Sequence, residues 1–251
     1  MKNSFNPRHC AAIIERSAGR LGIRLNAAFT VVELAVSIVI VILLVSLSIL
    51  ATSRVKSSMQ SARCVSNLRQ LQSANIVYAG LHDNSFVPVF INGAETASEG
   101  RVLWTGNKDF ITLLSIFRPV TSISDLQKAW PRQLLCPRAT IDGGRIDRCY
   151  AYNRTGISAL YSKPGARAAV RATEIANPAR VIAFIDALNW MMDYDVALGD
   201  YTEEVTQNNT IAFRHDGRAY AVFFDGHVEP LTKAQVTGDP ALWRIKDTLI
   251  K

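Results

Sequence analysis

Cysteine and histidine are scarce in this 251-residue chain, with four of each, and their spacing excludes more than it suggests. There is no Cys-x-x-Cys, and the histidines lack the spacing of a metal site, so a structural zinc is not expected. There is no Gly-x-Ser-x-Gly, no phosphate-cradling glycine loop and no cluster of His, Cys and Asp in sequence. A non-enzymatic role is therefore expected, with no cofactor. Internal repeats and low-complexity tracts are also missing. Two further absences are local. From 34 to 51 there is no charged residue, and from 29 to 79 there is neither proline nor glycine.

The uncharged stretch is long enough to cross a bilayer as one helix. Glu33 stands at its edge, where a carboxylate is costly and usually marks a function. A cleaved secretory signal is the competing reading, with Ala51-Thr52-Ser53 as a small-x-small site, but its apolar region would normally be shorter. Residues 1–28 carry Lys2, Arg8, Arg16, Arg20 and Arg24 against Glu15, a net +4 of the chain's +7. A basic arm beside an apolar span reads as a cytoplasmic topology signal rather than a nucleic-acid patch.

Beyond the span the helical pattern continues. Val55, Met59, Ala62, Val65, Leu68, Leu71 and Val77 recur at steps of three and four, with basic residues between them. One helix over 29–82 is predicted, transmembrane over about 29–51 and then amphipathic. Gly80 and Asp83-Asn84 should stop it.

Residues 83–251 are read as one α+β domain. "FVPVFI" suggests a short edge strand because of Pro88. Asn107 should cap a short helix closed by Pro119, with Phe110, Leu113, Leu114 and Phe117 on one side. "PARVIAFIDA" reads as a buried strand. "NTIAFRH-DG-RAYAVFF-DG-HVEPLT" reads as a three-stranded meander over 210–231, because Asp-Gly between β-rich runs is a strong hairpin signal. Pairing His215 with Arg218 and Phe224 with His227 puts Ile211, Phe213, Tyr220, Val222, Phe224 and Leu231 on one face, which should cover the long helix. Ala212, Arg214, Ala219, Ala221 and Phe223 fall on the other. The chain should end in a short amphipathic helix from Asp239 on. The expected fold class is α+β, a long N-terminal helix packed on a C-terminal antiparallel sheet.

"AFTVVELAV" closely resembles the class III signal of type IV pilins and type II secretion pseudopilins. In that family a basic leader precedes a small residue, a Phe and an apolar run with Glu at the fifth mature position. Here Phe29 takes the first position and Glu33 the fifth; Ala28 stands where the family usually has Gly. "CVSNLRQLQSANIVYAGLHDNSFVP", Cys136-Pro137 and the closing H-x9-DG of His215, Asp225 and Gly226 resemble a large bacterial pseudopilin-like subgroup.

The resemblance implies a leader over 1–28, cut between Ala28 and Phe29 by prepilin peptidase, with methylation of the new Phe29 amine. It implies assembly with other pilin or pseudopilin subunits in the inner membrane. Glu33 would meet the amine of a neighbouring Phe29 and so set the register, and 83–251 would be periplasmic. The expected role is a structural subunit of a type IV pilus or a type II secretion pseudopilus. A membrane-anchored periplasmic binding domain that never polymerises is the alternative, with Glu33 snorkelling to headgroups.

Other candidates are weaker in chemistry. Cys136 and Cys149 are candidates for a disulfide in an oxidising compartment, as are pairings of Cys64 with either; the sequence does not choose. His215 and Asp225 lie at opposite ends of one strand, so they should not share an ion; turn chemistry suits Asp225-Gly226 and packing suits His215. The loop bearing Asp193, Asp195 and Asp200, with Glu203 and Glu204 beyond, is a calcium candidate weighed against a solvated loop.

Overall fold

The computed structural model describes residues 30–93, 100–115, 130–140, 146–157, 162–202 and 210–245. The chain divides into two compact units, Met1–Ser53 and Arg54–Lys251. It is a mixed α/β protein with an apolar helix near its N-terminus, one antiparallel sheet and one mixed sheet.

Helix α1 runs Val31–Leu81. In the first unit its stretch Val31–Ser48 has a mean hydropathy of 2.8 and is exposed throughout, so it is long and apolar enough to cross a membrane. Its serines fit an apolar solvent. Ser37, Ser46 and Ser48 donate their hydroxyls to the carbonyls of Glu33 (2.7 Å), Leu43 (2.8 Å) and Leu44 (2.7 Å). No hydroxyl then has to look outside the helix for an acceptor.

In the second unit α1 buries a stripe through Cys64, Asn67, Leu68, Leu71, Gln72, Asn75 and Tyr78. The predicted stripe is correct at Leu68 and Leu71, but Val55, Met59 and Val77 are exposed. The difference is three buried amides. The Asn67 side chain donates to Leu135 O (3.0 Å), that of Gln72 to Phe224 O (2.7 Å), and that of Asn75 to Tyr152 Oη (3.2 Å) while its carbonyl accepts Val87 N (2.9 Å). Each amide is placed by one register of the helix, because a shift would bury it unpaired. Asp83 and Asn84, both at φ 57°, end the helix as expected, whereas Gly80, expected to help stop it, is still helical.

A small antiparallel sheet has the order β2-β1-β4: β1 (Phe90–Ile91) lies between β2 (Val102–Leu103) and β4 (Arg167–Ala168). The expected edge strand is thus central, and Pro88, ahead of it, never has to donate to the ladder. Helix α2 (Lys108–Leu113) starts on Asn107, which accepts Phe110 N at 3.1 Å. It stops at Leu114 and Ser115 (φ 56°); Phe117 and Pro119 lie outside the described residues.

The larger sheet has the order β6-β3-β5-β7-β8, from β3 (Tyr150–Asn153), β5 (Ile182–Asp186), β6 (Met191–Met192), β7 (Arg218–Phe223) and β8 (Val228–Thr232). Only β3 and β6 are parallel. Both faces are covered, which is why β5 reads as a continuous apolar run. Tyr150, Tyr152, Phe184, Val222 and Phe224 share a core with α1. Ala151, Ile185, Ala221, Phe223 and Leu231 join Val236 of helix α4 (Lys233–Gly238) and Trp243. Helix α3 is the short Tyr194–Ala197. Of the expected C-terminal helix, the described residues form a 3-10 turn at Pro240–Leu242.

Two parts of the expected meander are corrected. The run 210–212 does not lie along β7. It pairs past the end of β5, with Ala212 N on Asp186 O (2.9 Å) and Leu188 N on Thr210 O (2.9 Å), because β5 itself occupies that side of β7. The second turn is also one residue longer than expected. Phe223, not Phe224, faces His227, with Phe223 N on His227 O at 2.9 Å. This moves Leu231 opposite Ala219 and into the core away from α1, which Ile211 and Phe213 also join because their run leaves β7 for the end of β5. The first turn is as expected: His215 bridges Arg218, and Asp216 (φ 54°) and Gly217 (φ 77°) form it.

Gly226 closes the longer turn at φ 96°. A Cβ there would meet nothing within 4 Å, so Gly226→Ala should cost only torsional strain, about 1–2 kcal/mol. A denaturation midpoint unchanged in Gly226→Ala would contradict this turn.

Candidate functional site

Among the described residues, the expected site residues meet chemistry-bearing neighbours at the start of α1 and in a buried cluster. Thr30 N and Oγ1 both donate to Glu33 Oε2, at 2.9 and 3.0 Å, and Glu33 N donates to Thr30 Oγ1 at 3.2 Å. This is a capping box. It was legible as Thr30-x-x-Glu33 ahead of an apolar run and gives Glu33 a local role that the resemblance does not mention. Ala28 and Phe29, the expected cleavage and methylation positions, lie outside the described residues.

The second is a buried cluster that no local spacing announces. Cys64 comes from α1, Cys136 from the Cys-Pro turn after the 3-10 turn Arg132–Leu134, Asp186 from the end of β5, and His215 from the turn into β7. One donor atom from each lies within 4.8 Å of the others. The sulfurs of Cys64 and Cys136 are 2.7 Å apart. His215 Nε2 is 3.5 Å from Cys136 Sγ and 3.3 Å from Asp186 Oδ2, and its Nδ1 is 3.4 Å from Ser61 Oγ. Ser61 precedes Cys64 by one turn on the same face of α1. Asp186 Oδ2 accepts Tyr220 N (2.8 Å), and Oδ1 lies 3.8 Å from Arg214 Nη1.

The electrostatics are those of a charge network. Burial pushes the His215 imidazole down, but the bonds to Asp186 and Cys136 prevail and raise it to about 9. Burial likewise pushes the Cys136 thiol up, and it is outweighed by the Cys64 thiol, His215 and Arg214, which hold Cys136 low. Cys64 is pushed up because it gives its proton to Cys136 and is itself buried. Burial raises Cys149 to about 12.

For Cys136 the arrangement is not that of a nucleophilic relay, which needs the thiol and the carboxylate on different imidazole nitrogens: Nε2 faces both Asp186 and Cys136, and Nδ1 faces Ser61. The four side chains are at most 3% exposed, which suits holding an ion or a bond rather than turning over a substrate. As a donor set, two thiolates, an imidazole and a carboxylate fit a tetrahedral divalent ion in kind.

A raised imidazole is favoured in its protonated form by the fold. Its stability is complete below the free value of about 6.5 and is lost as pH rises through 9. Cys136 works the other way. In Cys136→Ser, with Asp186 and Ser61 still beside His215 and the Tyr220 ring edge-on to it, the unfolding temperature should fall as pH rises above about 6.5. Adding His215→Gln should flatten that fall, as followed by circular dichroism.

The remaining candidates separate. Asp225 is not near this cluster's donor set; its Oδ1 accepts His227 N (3.1 Å) and meets His227 Nδ1 (2.6 Å), holding the turn. No S–S bond links the three cysteines of the second unit in this structure, and the sulfur of Cys136 lies against Cys64 rather than Cys149. Asp193 pairs with Arg154 and Asp200 with Lys233, while Asp195 is exposed in α3. The calcium candidate therefore has no converged donors among the described residues; Glu203 and Glu204 lie outside them. Asp186 is the member that the sequence reading missed, its signal being a carboxylate ending the apolar run "VIAFID".

Compared with family models, curated proteins and solved structures, the chain gives no match.

Proposed function

We propose that this chain is a pilin-like structural subunit, held in a membrane by the first half of α1 and assembled into a filament through the same surface. In this reading prepilin peptidase cuts between Ala28 and Phe29, the span leaves the leader in the cytoplasm and the domain outside, and the domain forms the filament surface. The observation that carries it is the helix of 51 residues. Its first 18 residues, Glu33 and the serines apart, are apolar around the helix and none is buried, while its outer half is fixed to the α+β domain by buried amides. Such a helix needs lipid or other helices around one half and a domain beside the other. In a bundle of subunits the apolar half exchanges lipid for neighbours, and Glu33 is offset by a neighbouring Phe29 amine.

N-terminal sequencing of the membrane-extracted protein, with and without prepilin peptidase, tests this. A methylated Phe29 start that depends on the peptidase is expected. An intact leader, or a start near Val55, defeats the reading. The second reading, a permanent anchor for a periplasmic domain, is favoured by the Thr30–Glu33 capping box, because it satisfies Glu33 within one chain.

A further inference from the structure

We infer that Cys64 and Cys136 form a disulfide that staples the outer half of α1 to the Cys-Pro turn. Their sulfurs, 2.7 Å apart, are well inside non-bonded contact, and a small side-chain rotation brings them to the bond length of about 2.05 Å. Both residues are buried, at 0% and 2% exposure, and they come from segments 72 positions apart. Cys149, the other candidate partner, instead takes the Cys136 backbone N–H. A metal suits the same four residues less well. Two thiolates each about 2.3 Å from a tetrahedral zinc lie about 3.8 Å apart, so an ion would have to force these sulfurs open by about 1 Å. Asp186 Oδ2 is also already engaged by Tyr220 N and His215, while Oδ1 keeps only the 3.8 Å ion pair to Arg214 and no hydrogen bond.

The bond forms by exchange with a protein disulfide of the compartment outside the membrane, and the inference rests on the proposed orientation for that oxidant. In the first step the Cys64 thiolate attacks one sulfur of the partner's disulfide, releasing the partner's first thiolate and leaving a mixed disulfide on Cys64. In the second the Cys136 thiolate attacks the Cys64 sulfur, closing the bond and releasing the partner's second thiolate. The two chain thiols lose two protons and two electrons, and the partner's disulfide takes the electrons. His215, beside Cys136 and steadied by Asp186 and Ser61, favours Cys136 as the attacking thiolate of the closing step. The first step precedes burial; packing α1 against the turn assembles the second.

The test takes the full chain from its own membrane, traps free thiols with N-ethylmaleimide under denaturing conditions, and maps non-reduced peptides by mass spectrometry. A peptide pair joining Cys64 to Cys136, with Cys149 alkylated, is expected. Oxidised glutathione added to the purified, reduced chain should form the same pair, and this arm does not depend on compartment. Reduction should lower the unfolding temperature by about 10 °C, as expected for a long closed loop. Cys64→Ser, Cys136→Ser and the double variant should be equally lowered and insensitive to reductant, which a mere packing defect would not produce. A Cys136–Cys149 pair, or free thiols after glutathione, overturns the inference. So does one equivalent of bound metal with both thiols free. Protease accessibility of the domain in spheroplasts separates the two failures. A protected domain defeats the orientation, while an accessible domain with free thiols defeats the disulfide.

Discussion

Asp186→Ala is expected to cost about 3–5 kcal/mol of folding stability, the range for breaking a buried ion pair by removing one partner. The side chains of Asp186 and Arg214 are 0% and 2% exposed. The Arg214 guanidinium donates to the carbonyls of Cys149 (3.1 Å), Arg148 (3.3 Å) and Ala187 (3.5 Å). These carbonyls fix its place, but Asp186 brings a compensating charge. Alanine would take that charge from beside Arg214, strip Tyr220 N of its acceptor and loosen His215. Asp186→Asn keeps an acceptor for Tyr220 and should recover part of the loss. The Asp186→Ala and Arg214→Met changes should not add, because the two side chains are in contact and the second removes a buried charge that the first has weakened. Urea denaturation of the detergent-solubilised chain measures all three. A loss under about 1 kcal/mol in Asp186→Ala would mean that the pair behaves as an exposed one, since exposed pairs are worth no more than that.

This network was the least legible part of the sequence. Cys64, Cys136, Asp186 and His215 belong to four elements, and His215 is 79 positions from the cysteine that it meets. No periodicity links them; only the packing of α1 and the placing of β5 beside β7 bring them together. The reading did carry His215 and the Cys-Pro turn as resemblance motifs, but separately.

Elsewhere the failures are local and physical. Asp-Gly announces a reversal without fixing its length. A two-residue loop after Phe224 and a three-residue loop after Phe223 use the same dipeptide, but they put Leu231 on opposite faces. The stripe on α1 was misread because apolar periodicity cannot register Asn67, Gln72 and Asn75, which are buried as hydrogen-bonding side chains. The features read well depend on short-range signals: the long helix, without proline or glycine from 29 to 79, its stop at Asp83-Asn84, the Asn107 cap, the buried β5 and the Asp216-Gly217 turn.

Glu33→Gln and Thr30→Ala should separate the two roles available to the start of α1. In the capping box both Thr30 bonds end on Glu33 Oε2, and a glutamine carbonyl accepts them equally well. Thr30→Ala keeps the carboxylate but removes the hydroxyl that accepts Glu33 N, a loss of about 1 kcal/mol at the helix start. If Glu33 serves only its own helix, Thr30→Ala is the more harmful change and Glu33→Gln is close to silent. If it meets the amine of a neighbouring Phe29 in a dry bundle, the order inverts. Glu33→Gln then strands a buried cation, at about 3–5 kcal/mol, and filament incorporation should fall at least about 100-fold at unchanged membrane insertion. Thr30→Ala should assemble nearly as well as the parent chain. Quantitative blotting of sheared filaments against the membrane fraction reads both variants, and the inverted order is the expected result. Equal incorporation of Glu33→Gln and the parent chain would leave α1 as an anchor and remove assembly from the role of its carboxylate.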